Sequence, residues 1–203
     1  MIIDPRTLSP HDAYSILVGI VVPRPIAFVT SMNDREIVNA APYSFFNVLT
    51  GSPPLIMISV GRKKGQMKHT AENIVRRKEF VVNLVTDDLM ESMNLSSSDF
   101  PEGTSEIEKA QLTLAPSVII RTPRIASSKV NLECVLHKHI ELGSDPTDLI
   151  IGEVVQFHIN DEIFSNGTID QRKFRPIGRM GGNFYSGTNE LFELARPESR
   201  RKK

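Results

Sequence analysis

The segment GRKKGQMKHTAENI, residues 61–74, gathers Arg62, Lys63, Lys64 and Lys68, then sets His69 and Thr70 at the start of a helical pattern. A helix N-terminus offers free N–H groups and the positive end of a dipole. With a lysine, a hydroxyl and a histidine added, such a segment can hold a phosphate. The same composition also fits an exposed basic loop with solvated charge. A second stretch, NAAPYSFFNVLTGSPP, residues 39–54, mixes Tyr43, Phe45 and Phe46 with Ser44 and Asn47 and is broken by three prolines. A regular core strand would alternate more cleanly and carry less proline. Aromatics beside hydrogen-bonding groups suit a flat heteroaromatic ring with polar edges. A phosphate at one end and a polar ring at the other describe a mononucleotide or a flavin. If residues 45 and 46 are extended, their side chains point to opposite sides, so at most one phenylalanine faces that ring.

Other chemistry finds little support. There is no GxxxxGK[ST], GxGxxG, HExxH, CxxC or GxSxG pattern. His137 and His139 share a strand face and could ligate a metal, but no third ligand accompanies them. The single cysteine, Cys134, lies in the apolar alternation VNLECVL and reads as a buried thiol. One cysteine allows no intrachain disulfide, which points to a reducing cytoplasm. The N-terminus lacks a signal-peptide pattern, and no apolar run approaches membrane-spanning length, so no membrane association is expected. The basic end RPESRRKK reads as a frayed tail. Lys+Arg and Asp+Glu are both 24, and this formal neutrality argues against nucleic acid as a partner.

The elements that must position these residues follow from periodicity. At 203 residues, one domain spanning 1–203 is expected, with its core over about 20–190. Ser9-Pro10 starts a helix that stops at Gly19. Strands are expected at PIAFVTS (25–31), IVNAAPY (37–43), LIMISVG (55–61), FVVNLVT (80–86), VIIRT (118–122), VNLECVLHKHIEL (130–142) and LIIGEVVQFHIN (149–160). GSDPTD turns the last two into a hairpin. Val130, Leu132, Cys134 and Leu136 share one face of the first, and Leu149, Ile151, Val155, Phe157 and Ile159 one face of the second. Helices are expected from Met67 to Val75, over DDLMESMNL (87–95) and near Ser105 to Ala110. Without a βαβ rhythm, this inventory favours a mainly β, antiparallel barrel with short peripheral helices.

Taken in order and spacing, RPIAFVTS (24–31), NAAPYSFFNVLTGSPPLIMISV (39–60), KHTAENI (68–74), EFVVNLV (79–85) and PIGRMGGNFY (176–185) resemble the flavin reductase-like, FMN-binding split-barrel family, which includes flavoredoxin-like carriers. The resemblance implies a split antiparallel β-barrel, a homodimer, and FMN near the dimer interface. Carried over by position, Thr30 and Ser31 lie near the ribityl phosphate. Ser44, Phe45 and Asn47 meet the flavin ring, with backbone N–H groups of 44–47 toward its N5/O4 edge. Lys68, His69 and Thr70 bind phosphate, with His69 where the family commonly has aspartate. Arg179, Gly182 and Tyr185 close the site. The implied function is an FMN flavoprotein taking electrons from NAD(P)H, as a transient co-substrate, or from a protein donor, and passing them to a redox partner or a monooxygenase. Two alternatives stand beside it: a non-enzymatic barrel module binding a ligand or oligonucleotide, and a flavin-binding protein without turnover.

Overall fold

Pro10 can open a helix because its missing N–H would have had no partner there, and Ser9 Oγ accepts from Asp12 N at 3.1 Å to cap it. In the computed structural model, which describes residues 1–98 and 106–195, this helix is α1 (Pro10–Ile20), ending one residue beyond Gly19. The strands are β1 (Arg24–Pro25), β2 (Ala27–Met32), β3 (Val38–Tyr43), β4 (Phe46–Gly51), β5 (Pro54–Gly61), β6 (Glu79–Leu84), β7 (Leu114–Ala115) and β8 (Arg124–Ile125). They continue with β9 (Val130–Leu142), β10 (Thr147–Ile159), β11 (Phe164–Ser165), β12 (Thr168–Ile169), β13 (Gly178–Arg179) and β14 (Tyr185–Ser186). The remaining helices are α2 (His69–Arg77), α3 (Met90–Ser96), α4 (Glu106–Lys109) and α5 (Gln171–Phe174). The tail RPESRRKK and Ser105 lie outside the described residues.

Seven strands form one antiparallel sheet in the order β3-β2-β6-β9-β10-β5-β4. Its two edges are β3 and β4, which are consecutive in sequence and joined only by Ser44 and Phe45. The chain therefore steps from one edge of the curled sheet to the other, and this is the split of a split barrel. Phe46–Gly51, an irregular continuation in the sequence pattern, is a true edge strand hydrogen-bonded to β5.

Every residue of β2 is buried, because the strand lies between two cores. Ala27 and Val29 join the barrel interior with Ile58, Phe80, Val82 and Ile150, closed at one end by Ala71 and Ile74 of α2. Phe28 joins the outer cluster with Ile26, Ala40, Leu89, Met93 and Ile125. A strand covered on both faces has no reason to alternate, and AFV does not.

Two expectations are corrected. VIIRT is not a strand. Its amides instead serve two carboxylates: Val118, Ile119 and Ile120 donate to Glu133 at 2.7, 2.8 and 3.1 Å, and Thr122 donates to Glu79 at 2.7 Å. A β-branched run predicts strand pairing, but its N–H groups are claimed by side chains from β6 and β9. In β10 the buried face is Asp148, Ile150 and Val154, while Leu149, Ile151, Val155 and Ile159 are half-buried and Phe157 is exposed. Burial alternates unbroken from Thr147 to Val154, and it is the register shift at Val154/Gln156, with Val155 as the extra residue, that ends the simple parity and separates Phe157 and Ile159 from Leu149 and Ile151.

Candidate functional site

The site is built around the free edge of β3. Pro42 has no N–H, so it fits an edge strand where that N–H would point away from the sheet. By alternation Ala40 turns its N–H the same way. Asn39 is on the other face, and its side-chain amide lies 2.9 Å from Thr70 Oγ1 and 3.1 Å from Glu106 Oε1. A carboxylate accepts only, so the amide nitrogen faces Glu106 and the oxygen faces the hydroxyl. Thr70 also meets the Tyr43 hydroxyl, which burial pushes up to about 12 and keeps neutral. These bonds tie the start of α2 to the edge strand. Lys68 is the N-cap of α2 with no side-chain cap, so the first-turn N–H groups remain available. Lys68 and His69 are exposed beside them.

The other predicted phosphate groups are occupied internally. Thr70 is 2% exposed. Thr30 Oγ1 donates to Pro123 O at 2.7 Å, and Ser31 Oγ accepts from Asn73 Nδ2 at 3.2 Å; both residues are fully buried. Arg62 does not join a basic cluster either. It forms two hydrogen bonds to buried Asp148, at 3.0 and 2.8 Å, and an ion pair with Glu141 at 2.8 Å. Burial pushes the Asp148 carboxyl up, but Arg62 and His139 outweigh it and hold the group below the ordinary carboxylate range. His139 Nε2 lies 2.9 Å from Asp148 and is thereby accounted for without a metal.

At the far end of β3, Phe46 is 8% exposed and belongs to the barrel core, whereas Phe45 is 38% exposed. Phe45 is therefore the phenylalanine a ligand can meet. Its ring sits 6.2 Å from Tyr14 of α1 and 5.9 Å from the Arg24 guanidinium. Arg24 was not singled out in the sequence, although it heads RPIAFVTS. It donates to Val18 O and Val21 O at 2.7 Å each, to Met180 O at 3.0 Å and to Ser44 Oγ at 3.3 Å. One cation thus locks the C-terminus of α1, the 178–186 segment and Ser44 together, its charge complementing the helix end.

Ser44, Arg179 and Tyr185 line one cleft of about 300 Å³ with Pro42, Asn94 and Asn183, floored by Ile26 and Met93. The small sheet β1-β13-β14 brings Arg179 and Tyr185 there. His69 borders a separate surface groove on α2, with Met67, Glu72 and Arg76. Asn47 is exposed on β4, where its Oδ1 accepts from Val48 N at 2.8 Å, and it borders neither cleft. The structure therefore assembles two ends. Asn39 and Ser44 are five residues apart, roughly 16 Å at about 3.3 Å per residue. A single ligand touching both ends would run along the strand edge, because Asn39 and Pro42 project to opposite faces.

A sequence model of the flavin reductase like domain matches residues 19–178. An uncharacterized protein of Halalkalibacterium halodurans is 45% identical over 202 residues, covering 97% of each chain. Nitrilotriacetate monooxygenase component B from Bacillus cereus superposes with a TM-score of 0.92 at 38% identity, covering 96% of this chain and 98% of that one. The 2-nitrobenzoate 2-nitroreductase NbaA of Pseudomonas fluorescens gives 0.90 at 36% identity, covering 98% and 97%. On the span of the domain match and the identity to the Halalkalibacterium halodurans relative, the chain belongs to the flavin reductase like domain family.

Proposed function

We propose that the protein is an FMN-dependent oxidoreductase that takes electrons from NAD(P)H or a protein donor. The observation that carries the reading is the flavin reductase like domain over residues 19–178. The residues present fit the cofactor at both ends. Lys68, His69 and the uncapped N–H groups of α2 would hold the phosphate, while Glu106 beside Asn39 opposes an anion on that side. Pro42, Ser44 and Phe45 would meet the ring. When bound, the isoalloxazine supplies the redox chemistry, and the protein supplies position and electrostatics. Arg24 holds Ser44 in place, and Tyr43 stays uncharged behind it.

The reading extends to a homodimer. Helix α1 buries none of its residues, and Tyr14, Leu17, Ile20 and Val21 are exposed, as are Val48 and Leu49 on edge strand β4. That much apolar surface on one chain calls for a partner, and a second copy satisfies it. A cytoplasmic setting fits the single buried thiol, and no described helix is long and apolar enough to cross a membrane. The name of the Bacillus cereus relative suggests a monooxygenase as recipient of the electrons.

Purified protein should be yellow and release FMN on denaturation. Anaerobic addition of NADH or NADPH should bleach the flavin. A colourless protein that takes up no FMN sinks the reading. Flavin that neither nicotinamide reduces rejects the reductase and leaves a carrier fed by a protein donor.

A further inference from the structure

Most arginines with defined partners meet a carboxylate: Arg62 meets Asp148 and Glu141, Arg76 meets Glu72, and Arg175 meets Asp87. Arg179 does not. Among the described residues it donates to the Gly182 carbonyl and stacks over the Tyr185 ring at 4.6 Å, with no acidic partner. It lines the 300 Å³ cleft, and among the described residues no acidic side chain lines that cleft. A guanidinium carries five N–H donors in a planar fork suited to a carboxylate, and one bond to Gly182 leaves donors over. Ile26, Pro42 and Met93 give the cleft apolar surface, and Asn94 and Asn183 add neutral polar groups.

We propose that this cleft is a substrate site for a small planar organic acid of about benzoate size, with Arg179 receiving its carboxylate. The volume sits at the lower end of small-molecule sites and suits a single ring, not a dinucleotide. Tyr185 orients the guanidinium, since stacking fixes the plane of the fork. Pro42 and Ser44 belong both to this cleft and to the segment proposed for the flavin ring, so the acid lies beside the redox centre. That last point rests on the flavoprotein reading; the charge match does not.

Isothermal titration calorimetry with benzoate, benzamide and ADP, on the protein with and without added FMN, tests the site. Benzoate should bind about tenfold or more tightly than benzamide, the difference a charge-assisted bidentate contact makes. FMN-loaded protein should keep that preference. Arg179→Met should abolish it, and so should Asn94→Asp, an isosteric change at an exposed position that leaves the fold alone. FMN affinity should change by less than about twofold in both variants. Equal binding of benzoate and benzamide, or no benzoate binding, overturns the proposal. So does a response to ADP alone, which would assign Arg179 to a dinucleotide phosphate. FMN displacing benzoate, with Arg179→Met weakening FMN, would assign the cleft to the cofactor and also overturn it. Benzoate preference in a protein that never binds FMN sinks the flavoprotein reading and leaves the carboxylate site standing.

Discussion

Replacing Glu133 by glutamine keeps the side chain's shape and removes one buried negative charge. The carboxylate is fully buried and accepts four hydrogen bonds: Oε1 from Val118 N at 2.7 Å and His158 Nε2 at 2.5 Å, Oε2 from Ile119 N at 2.8 Å and Ile120 N at 3.1 Å. Among the described residues the hydrogen-bond partner of His158 Nε2 is a carboxylate oxygen, which accepts, so that nitrogen carries the proton. A glutamine presents one oxygen and one NH2, so either orientation sets the NH2 against two donors. Each lost bond to a charged acceptor costs about 1.5–3 kcal/mol. The 117–122 segment lies at the surface and can reach water, so the lower end, about 3 kcal/mol, is expected for Glu133→Gln. For a chain of this size that is a fall of roughly 6–12 °C in Tm. The pH dependence has a definite sign. Burial pushes the Glu133 carboxyl up, but His158 and the three amides outweigh it and hold it below the ordinary value of 4.5. Its contribution is therefore complete above that value and is lost as pH falls through the lower folded-state value. Urea unfolding followed by circular dichroism, at neutral pH and in steps below the ordinary carboxylate range, should show the gap between wild type and variant closing as pH falls. A gap under about 0.5 kcal/mol at neutral pH, the size of an ordinary surface change, or one that pH does not alter, would refute the reasoning.

Gly152→Ala should destabilise the protein by about 1–3 kcal/mol in denaturant unfolding. The added Cβ would stand 2.5 Å from Phe80 Cζ and 3.3 Å from Cys134 Cβ, and Phe80 is fully buried; an unchanged midpoint would mean the core can shift. Cys134 is buried, and burial together with Glu133 pushes its thiol up, so Ellman's reagent should find no reactive thiol until urea is added. Prompt labelling of native protein would contradict that burial. Thr70→Ala should lower stability by about 1–2 kcal/mol through Asn39 and Tyr43, which lose a partner. Lys68→Ala should leave stability alone and weaken FMN binding about tenfold by flavin fluorescence titration. The reverse pattern would move the phosphate from the lysine to the threonine hydroxyl.

What was legible in the sequence was local. The Ser9-Pro10 cap, the GSDPTD hairpin and the apolar strands other than VIIRT depend on neighbours a few residues away, and they stand where periodicity put them. What was not legible depended on distant partners. Arg62 looked like a phosphate ligand because its counter-ion, Asp148, is 86 residues on. VIIRT has strand composition, but Glu79 and Glu133 take its amides. Thr30, Ser31 and Thr70 have site-like types, yet the second core outside β2 and the polar contacts under β3 enclose them. Phe45 and Phe46 could be told apart only once β4 was seen to pair with β5 and commit Phe46 inward.

The formal charge of zero conceals how the fold sorts its charges. Asp148 and Glu133 are buried and satisfied by Arg62, histidines and backbone amides, and half-buried Glu79 holds the 121–122 amides. These acids act as anchors for loops, and little of their field reaches a ligand. Among the described residues, Lys68 and Arg179 have no carboxylate partner, and they flank the two ends of the β3 edge. At physiological ionic strength the screening length is about 8 Å, so an approaching anion responds to those local charges and hardly to the sum over the chain. Neutrality argues against a nucleic-acid surface, which needs a continuous basic face. It says nothing against two separate surface sites, one beside Lys68 and one beside Arg179, at each of which an anion meets a cation that no carboxylate neutralises.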